Sequence, residues 1–474
     1  MKYIFFIILF FCVNSIFSQE DRYWSTSFNT EASLLAGAVV GGNSNITSLY
    51  YNPAGISEIE EKKIMLNVNL FKLNNESYKN IIGDKESISK FTFRVQPRFV
   101  SYIYRSKKNR KLSFQLAIFT KSSEYKSISA FTDKTSDIII PNKEVSIKNS
   151  YDYFNEYNDY WGGAGTSYQI NDNLSIGVSG FISVKNQLYS VYQYSIISTE
   201  TGLLSDSTKN IIADESERVS MYDVRLRGKI GVRYKIRHFY LGVNITIPSL
   251  KLFGEGDVKH RVTYTNNTDT NLFENSIIVH ENTLFRVVQI KDPLSIAIGG
   301  VYHFNKNKTQ IYFTVEYFNK IPTYLLVDGT RVVGNKKNEY TEGTHFTSYK
   351  YGAKSIINYA IGYKQILSDN FDLILGFRTD YSAYAVSNTG KFEGINEIQN
   401  IHNDLLHFTI GSNFNYKRSQ FIVGIQYSYG KKDNTTEYDS NSYENLFKFV
   451  GINNENMIYT IKSFGLFLGY SIKF

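Results

Sequence analysis

The sequence predicts an all-β fold, a 14-stranded antiparallel transmembrane β-barrel plugged by a short N-terminal hatch. Three observations carry this. Apolar and polar residues alternate with period two along most of the chain, and the connections between those runs switch regularly from short to long. The chain also opens on an export signal and closes on an aromatic strand. Composition agrees: 38 Tyr and 34 Phe stand against 2 Trp, 6 Pro and 4 Met in 474 residues, a strand-favouring balance. With 42% hydrophobic residues and a mean hydropathy of −0.28, no apolar run after residue 18 is long enough for a membrane-spanning helix. That composition also excludes collagen-like and unstructured chains.

Residues 1–18 read as a signal peptide. Lys2 supplies the charge, Tyr3 to Val13 the apolar core, and Ser18 the small residue before a cut ahead of Gln19. Cys12, the single cysteine, lies within it behind Phe11, where a lipoprotein signal would place a small residue. The exported chain therefore has no disulfide, thiolate metal site or cysteine nucleophile. A net charge of +8 would permit nucleic-acid binding in a cytosolic protein, but in an exported one it reads as solvated charge, with no nucleic-acid partner.

Residues 19–63 read as the hatch. Ala32, Leu34, Leu35, Ala36, Gly37, Ala38, Gly41 and Gly42 are small or apolar without strand alternation, which suits packing in a confined space. The turn Asn52-Pro53-Ala54-Gly55 follows, where Asn-Pro marks a sharp change of direction.

Residues 64–474 read as the barrel. Strands are expected at about 64–73, 91–105, 111–120, 160–170, 173–187, 217–236, 238–250, 285–304, 308–320, 355–367, 370–384, 405–416, 419–430 and 461–474. Phe421, Val423, Ile425 and Tyr427 share one face against Gln420, Gly424, Gln426 and Ser428; Ile357, Tyr359 and Ile361 oppose Asn358, Ala360 and Gly362. Short turns such as Asn171-Asp172, Arg237 and Lys417-Arg418 alternate with long stretches at 74–90, 121–159, 188–216, 251–284, 321–354, 385–404 and 431–460. A soluble sandwich would have connections of similar length at both ends, whereas an outer-membrane barrel has short periplasmic turns and long external loops.

The last strand places Phe464, Leu466, Leu468, Tyr470, Ile472 and Phe474 on one face. Such an ending is similar to the terminal strand by which bacterial barrels reach their assembly machinery, a partner expected here through Phe474. The expected location is the bacterial outer membrane, with its lipid as the surrounding partner and a single chain as the working unit.

Ala36-Gly37-Ala38, the polar run Asn43-Ser44-Asn45 and Tyr50-Tyr51-Asn52-Pro53-Ala54-Gly55 resemble the hatch of the FadL/TodX-like outer-membrane transporters of long-chain fatty acids and aromatic hydrocarbons. The resemblance covers about thirty residues by motif and the remainder by architecture. It implies a fourteen-stranded barrel without energy coupling, passing hydrophobic small molecules passively with a lateral exit. A branch serving protein secretion or surface attachment shares the same plan and is the alternative function.

Within the barrel, Val224, Leu226, Ile230 and Val232 define an outward face on one strand, turning Asp223, Arg225, Arg227, Lys229 and Arg233 inward. Two readings fit these cations: a site for an anionic head group such as a carboxylate, or pairing with inward acids such as Glu316, Asp372 and Asp380 or with the hatch. Tyr240, Tyr312, Phe318 and Phe467 also face inward and suit either a greasy ligand or the hatch. Pro97 interrupts the second strand. Phe93 and Val95 set one apolar phase before it and Val100, Tyr102 and Tyr104 the other phase after it, as an inserted residue produces. It marks either a lateral portal or a bulge. Catalytic fingerprints are absent, His402 and His407 make no metal pair, and neither enzyme activity, metal nor cofactor is expected.

Overall fold

A computed structural model describes residues 22–24, 28–42, 47–59, 63–80, 87–106, 108–140, 143–199, 209–266, 277–304, 308–329, 346–387, 389–398, 402–432 and 458–473. The signal segment, Asn43, Asn45 and Phe474 lie outside them. Near the N-terminus are α1 (Thr30–Leu34), α2 (Ser48–Tyr51) and a 3-10 helix over Pro53–Glu58. The strands are β1 (Lys63–Lys79), β2 (Ser87–Arg105), β3 (Leu112–Ile140), β4 (Lys143–Gln169), β5 (Leu174–Thr199), β6 (Lys209–Ile236), β7 (Phe239–Asn266), β8 (Ile277–Val287) and β9 (Ser295–Phe304). They continue with β10 (Thr309–Phe318), β11 (Ile321–Val327), β12 (Tyr349–Ala353), β13 (Ile356–Ser368), β14 (Phe371–Asp380), β15 (Asn396–Glu397), β16 (Leu405–Tyr416), β17 (Ser419–Lys432) and β18 (Ile458–Lys473).

One large antiparallel sheet holds most of them, in the order β6-β5-β4-β3-β2-β1-β18-β17-β16-β14-β13-β10-β9-β7-β8. The first strand of the sequence pairs with the last, from Lys63↔Lys473 to Lys79↔Ile458, and β6 pairs with β7 from Ile211↔Asn266 to Ile236↔Phe239. A separate small sheet joins β11, β12 and β15.

The faces of the large sheet invert those of a water-soluble one. Ile118 (71% exposed), Leu116, Ile182, Ile361, Phe421 and Ile425 stand out from it, while Lys185, Arg225, Asp223, Asp159 and Asp380 are buried on the other side. Apolar exposure on this scale suits a lipid surround, with the polar groups collected inside. The alternation expected on β6 is present: Leu226, Ile230 and Val232 are exposed, and the cations between them are buried. Val224 differs, being 7% exposed beside a register shift between the Val224 and Arg225 pairs.

Several strands are longer than expected. The stretches 121–159, 188–216 and 251–284, read as loops, largely continue the β3–β4, β5–β6 and β7–β8 ladders. At 29 residues, β3 is nearly three times the ~10 residues that cross a bilayer. Beyond lipid, the outer face no longer has to be apolar, so the period-two signal fades although pairing continues. Conversely the run 285–304 is two strands. Pro293 has no N–H for a ladder, and the chain leaves the sheet between β8 and β9, carrying Asp292 into the buried interior.

Candidate functional site

The N-terminal segment lies against the buried face of the sheet because the wall supplies glycines where it touches. An added Cβ at Gly231 would collide with Asn52 Oδ1, at Gly242 with the Val40 carbonyl, at Gly177 with the backbone of Pro53, and at Gly411 or Gly424 with the Leu34 side chain. These glycines are therefore required for close approach. Asn52 fixes the turn: its Nδ2 donates to Val40 O at 2.9 Å and to Val232 O of β6 at 3.1 Å, while its Oδ1 accepts from Ala54 N at 3.1 Å. Ser167 Oγ donates to Ala54 O at 2.8 Å and Thr409 Oγ1 to Leu34 O at 2.7 Å. Ion pairs tie the segment to the wall: Lys364 to Glu31 and Arg233 to Glu58, each at 2.8 Å, and Arg22 to Glu124 at 3.7 Å.

The inward cations of β6 divide into two kinds. Arg225 Nη1 pairs with Asp223 at 2.9 Å, and Arg225 Nε donates to Ser249 Oγ at 2.6 Å. Arg227 pairs with Asp292 and stands 3.7 Å from Asp159, while Lys185 reaches Asp292 at 2.9 Å. Burial alone would raise the Asp292 carboxyl, but Arg227, Lys185 and Arg225 together carry it well below the usual carboxylate range. Arg225, Arg227 and Arg233 are thus committed to acids of this chain. Those acids are Asp223, Asp292 and Asp159 rather than the Glu316, Asp372 and Asp380 named from the sequence, together with Glu58 of the N-terminal segment, the other source of partners expected from the sequence. Lys229 differs: its ammonium lies 3.9 Å from the centre of the Tyr50 ring and, among the described residues, has no hydrogen bond or ion pair.

Beside Lys229 lies an aromatic cluster of Phe28, Tyr50, Phe99, Phe119, Trp161 and Phe181. Phe28 and Phe119 are 4.7 Å apart, Trp161 and Phe181 are 5.1 Å apart, and Arg227 lies 4.4 Å over the Trp161 ring. The cluster stands where the β2–β3 ladder stops. Among the described residues that ladder runs from Arg105↔Ser113 only as far as Phe99↔Phe119, although β2 continues to Ser87 and β3 to Ile140.

Pro97 is two residues past the last pair. On its other side, the β1–β2 register steps from Asn67↔Phe99 to Val68↔Pro97, an extra residue on β2. Phe91 and Phe93 are exposed before the step and Val100, Tyr102 and Tyr104 after it, which is the phase change expected from the sequence. Tyr312, Phe318 and Phe467 are buried inward as expected, and Tyr240 lies under Arg233. His407 is buried against Ser428 and Asp380. The cluster itself was missed from sequence, because Phe99, Phe119 and Trp161 fall on the polar phase of strands whose other face is equally aromatic.

No protein-family model matches the sequence, and no curated relative matches it. Solved structures do. A FadL homologue of Pseudomonas aeruginosa superposes with a TM-score of 0.57 at 12% identity, over 97% of this chain and 100% of its own. The Pseudomonas putida toluene transporter TodX does so with 0.53 at 13% identity over 97% and 100%. The Ralstonia pickettii toluene transporter TbuX gives 0.50 at 11% identity over 94% and 98%. At these identities the likeness establishes the fold, that of FadL-like outer-membrane transporters.

Proposed function

We propose that the chain is a fourteen-stranded outer-membrane barrel, closed by its N-terminal hatch, through which hydrophobic small molecules pass without energy input and leave sideways between β2 and β3. The observation that carries this reading is the end of the β2–β3 ladder at Phe99↔Phe119, directly beside the aromatic cluster. An apolar ligand inside the barrel faces aromatic rings on one side and, past Pro97, a stretch of wall without backbone pairing on the other. Pairing of β1 with β18 and of β6 with β7 supports closure of the wall. The seating of Asn52, Pro53 and Ala54 on wall glycines supports the plug.

Aromatic hydrocarbons match the chemistry of the ring cluster, and a long-chain fatty acid adds a carboxylate for Lys229. Such a path is non-enzymatic and needs no cofactor. The deciding experiment measures uptake of labelled toluene and oleate by cells with and without the gene, and by cells expressing Pro97→Val. Uptake that depends on the chain and falls in the variant supports the lateral path. Uptake unchanged by deletion, together with a loss of surface or secreted proteins, would assign the barrel to protein export instead.

A further inference from the structure

Far from the aromatic cluster, three lone-pair donors converge near the ends of β6 and β7 remote from the Arg237 turn. Glu217 and His260 face each other across the β6–β7 ladder, and Glu215 lies two residues along β6 on the same face. All three are buried, at 3%, 7% and 1% exposure for Glu215, Glu217 and His260.

The imidazole is held in one tautomer. Its Nδ1 lies 2.9 Å from the Phe346 carbonyl, which also accepts from Asn396 Nδ2 at 2.7 Å. A carbonyl only accepts, so Nδ1 carries a proton, and in the neutral imidazole the Nε2 lone pair is presented to the glutamates. The Phe346 ring stacks on the imidazole at 3.9 Å with a 4° interplanar angle, fixing its plane. Nε2 is then 2.9 Å from Glu215 Oε1 and 3.6 Å from Glu217 Oε1, and the three ligand atoms lie within 4.8 Å of one another. Glu215 Oε2 is buried without a hydrogen bond, and among the described residues neither glutamate has a Lys or Arg partner.

Glu217 Oε2 accepts from Tyr189 Oη at 3.4 Å, so the point open to a cation is where Glu215 Oε1, Glu217 Oε1 and His260 Nε2 meet. A proton on Nε2 leaves two carboxylates sharing one charge, a net −1 in a buried place. A divalent ion with neutral imidazole brings the set to zero. Geometry agrees with the ion: metal–ligand bonds of about 2.0–2.1 Å at a tetrahedral angle put ligand atoms about 3.3 Å apart, and the observed 2.9 and 3.6 Å straddle that spacing. The Nδ1–H to carbonyl bond is the outer-shell contact that orients a metal-binding histidine. We propose that Glu215, Glu217 and His260 bind one divalent transition cation of the zinc class. The fourth position goes to water or to Tyr349, buried next to Glu217. Because Phe346 and Tyr349 belong to the small sheet and its approach, the ion clamps that sheet to the wall of β6 and β7. This site is independent of the ligand path.

The test uses the full chain in detergent, stripped with EDTA, dialysed against zinc and assayed for bound metal and thermal midpoint. One zinc per chain is expected, with a midpoint raised by several degrees at saturating zinc and restored to the stripped value by EDTA. Glu215→Gln and, separately, Glu217→Gln should each weaken zinc binding at least tenfold while keeping the strand circular-dichroism signal. Two variants guard against one that fails to fold. A folded wild-type chain with no bound zinc and no midpoint shift would overturn the site and leave a proton-sharing cluster. So would zinc binding that persists unchanged in both folded variants.

Discussion

Lys90 Nζ donates to the Ser127 carbonyl at 2.8 Å, a side-chain link between β2 and β3 in the stretch where the two strands have no backbone pairing. The same ammonium lies 5.9 Å from the Tyr125 ring. A single hydrogen bond to a charged group is worth about 1.5–3 kcal/mol, small beside a ladder of backbone bonds. It therefore works as a latch across the proposed exit rather than as a seam. Lys90→Met should speed uptake of a hydrophobic probe into proteoliposomes by a few fold and shift the thermal midpoint by only a few degrees. Slower uptake would show that Lys90 guides ligand instead of restraining the gap.

Deleting residues 19–58 should leave a folded barrel, because the wall ladders do not use the N-terminal segment. It removes Glu58 from Arg233 and Glu31 from Lys364, which keeps Asp372 at 3.2 Å, and exposes the wall glycines that Leu34 and Pro53 cover. The expected reading is a steady ion conductance in a planar bilayer where the intact chain is closed. A closed deletion variant would remove the plug assignment.

The glycine contacts allow a sharper test with single residues. Gly231→Val places a side chain where Asn52 Oδ1 stands, whereas a Cβ at Gly180 or Gly228 would meet its nearest atom at an ordinary contact distance, 3.9 and 3.5 Å. Overpacking of this kind costs about 1–3 kcal/mol, and here it falls on the seat of the N-terminal segment. Gly231→Val should raise conductance bursts and protease cleavage near Asn52, with Gly180→Ala behaving as the parent chain. Equal behaviour of the two variants would place the segment's hold elsewhere.

What the sequence made legible follows from where lipid imposes a rule. On β6, β16 and β17 the outer face must be apolar, so the inward direction of Arg225, Arg227 and Lys229 could be read from spacing alone. The insertion near Pro97 showed as a change of phase for the same reason. Of the partners of the cations only the N-terminal segment could be named: Asp159 and Asp292 lie on β4 and in the break before β9, distant in sequence and near Arg227 only in space. Glu215 and His260 were hidden because they lie on strand extensions outside the bilayer, where both faces tolerate polar groups and the stretch looks like a loop. Between β8 and β9 a run read as one long strand over 285–304 concealed a break that Pro293 signalled.

Lys229 and Arg227, two residues apart on one buried face, should separate when replaced. Arg227 is ion-paired with Asp292 and near Asp159. Removing one partner of a buried pair leaves an uncompensated charge and costs about 3–5 kcal/mol. Arg227→Gln is therefore expected to lower the thermal midpoint markedly and to reduce uptake of charged and neutral ligands alike. Lys229 lies against the Tyr50 ring, and Glu316, the acid whose charge reaches it, keeps its hydrogen bonds from Trp24 and Ser295 when residue 229 is a glutamine. If Lys229 receives the carboxylate, Lys229→Gln removes a charge-assisted bond of about 1.5–3 kcal/mol, so oleate binding falls tenfold or more while toluene binding and stability hold. Titrating both ligands against both variants measures the difference directly. Equal losses of oleate and toluene in Lys229→Gln would make this lysine part of the wall's internal packing and leave the head group to bind elsewhere in the barrel.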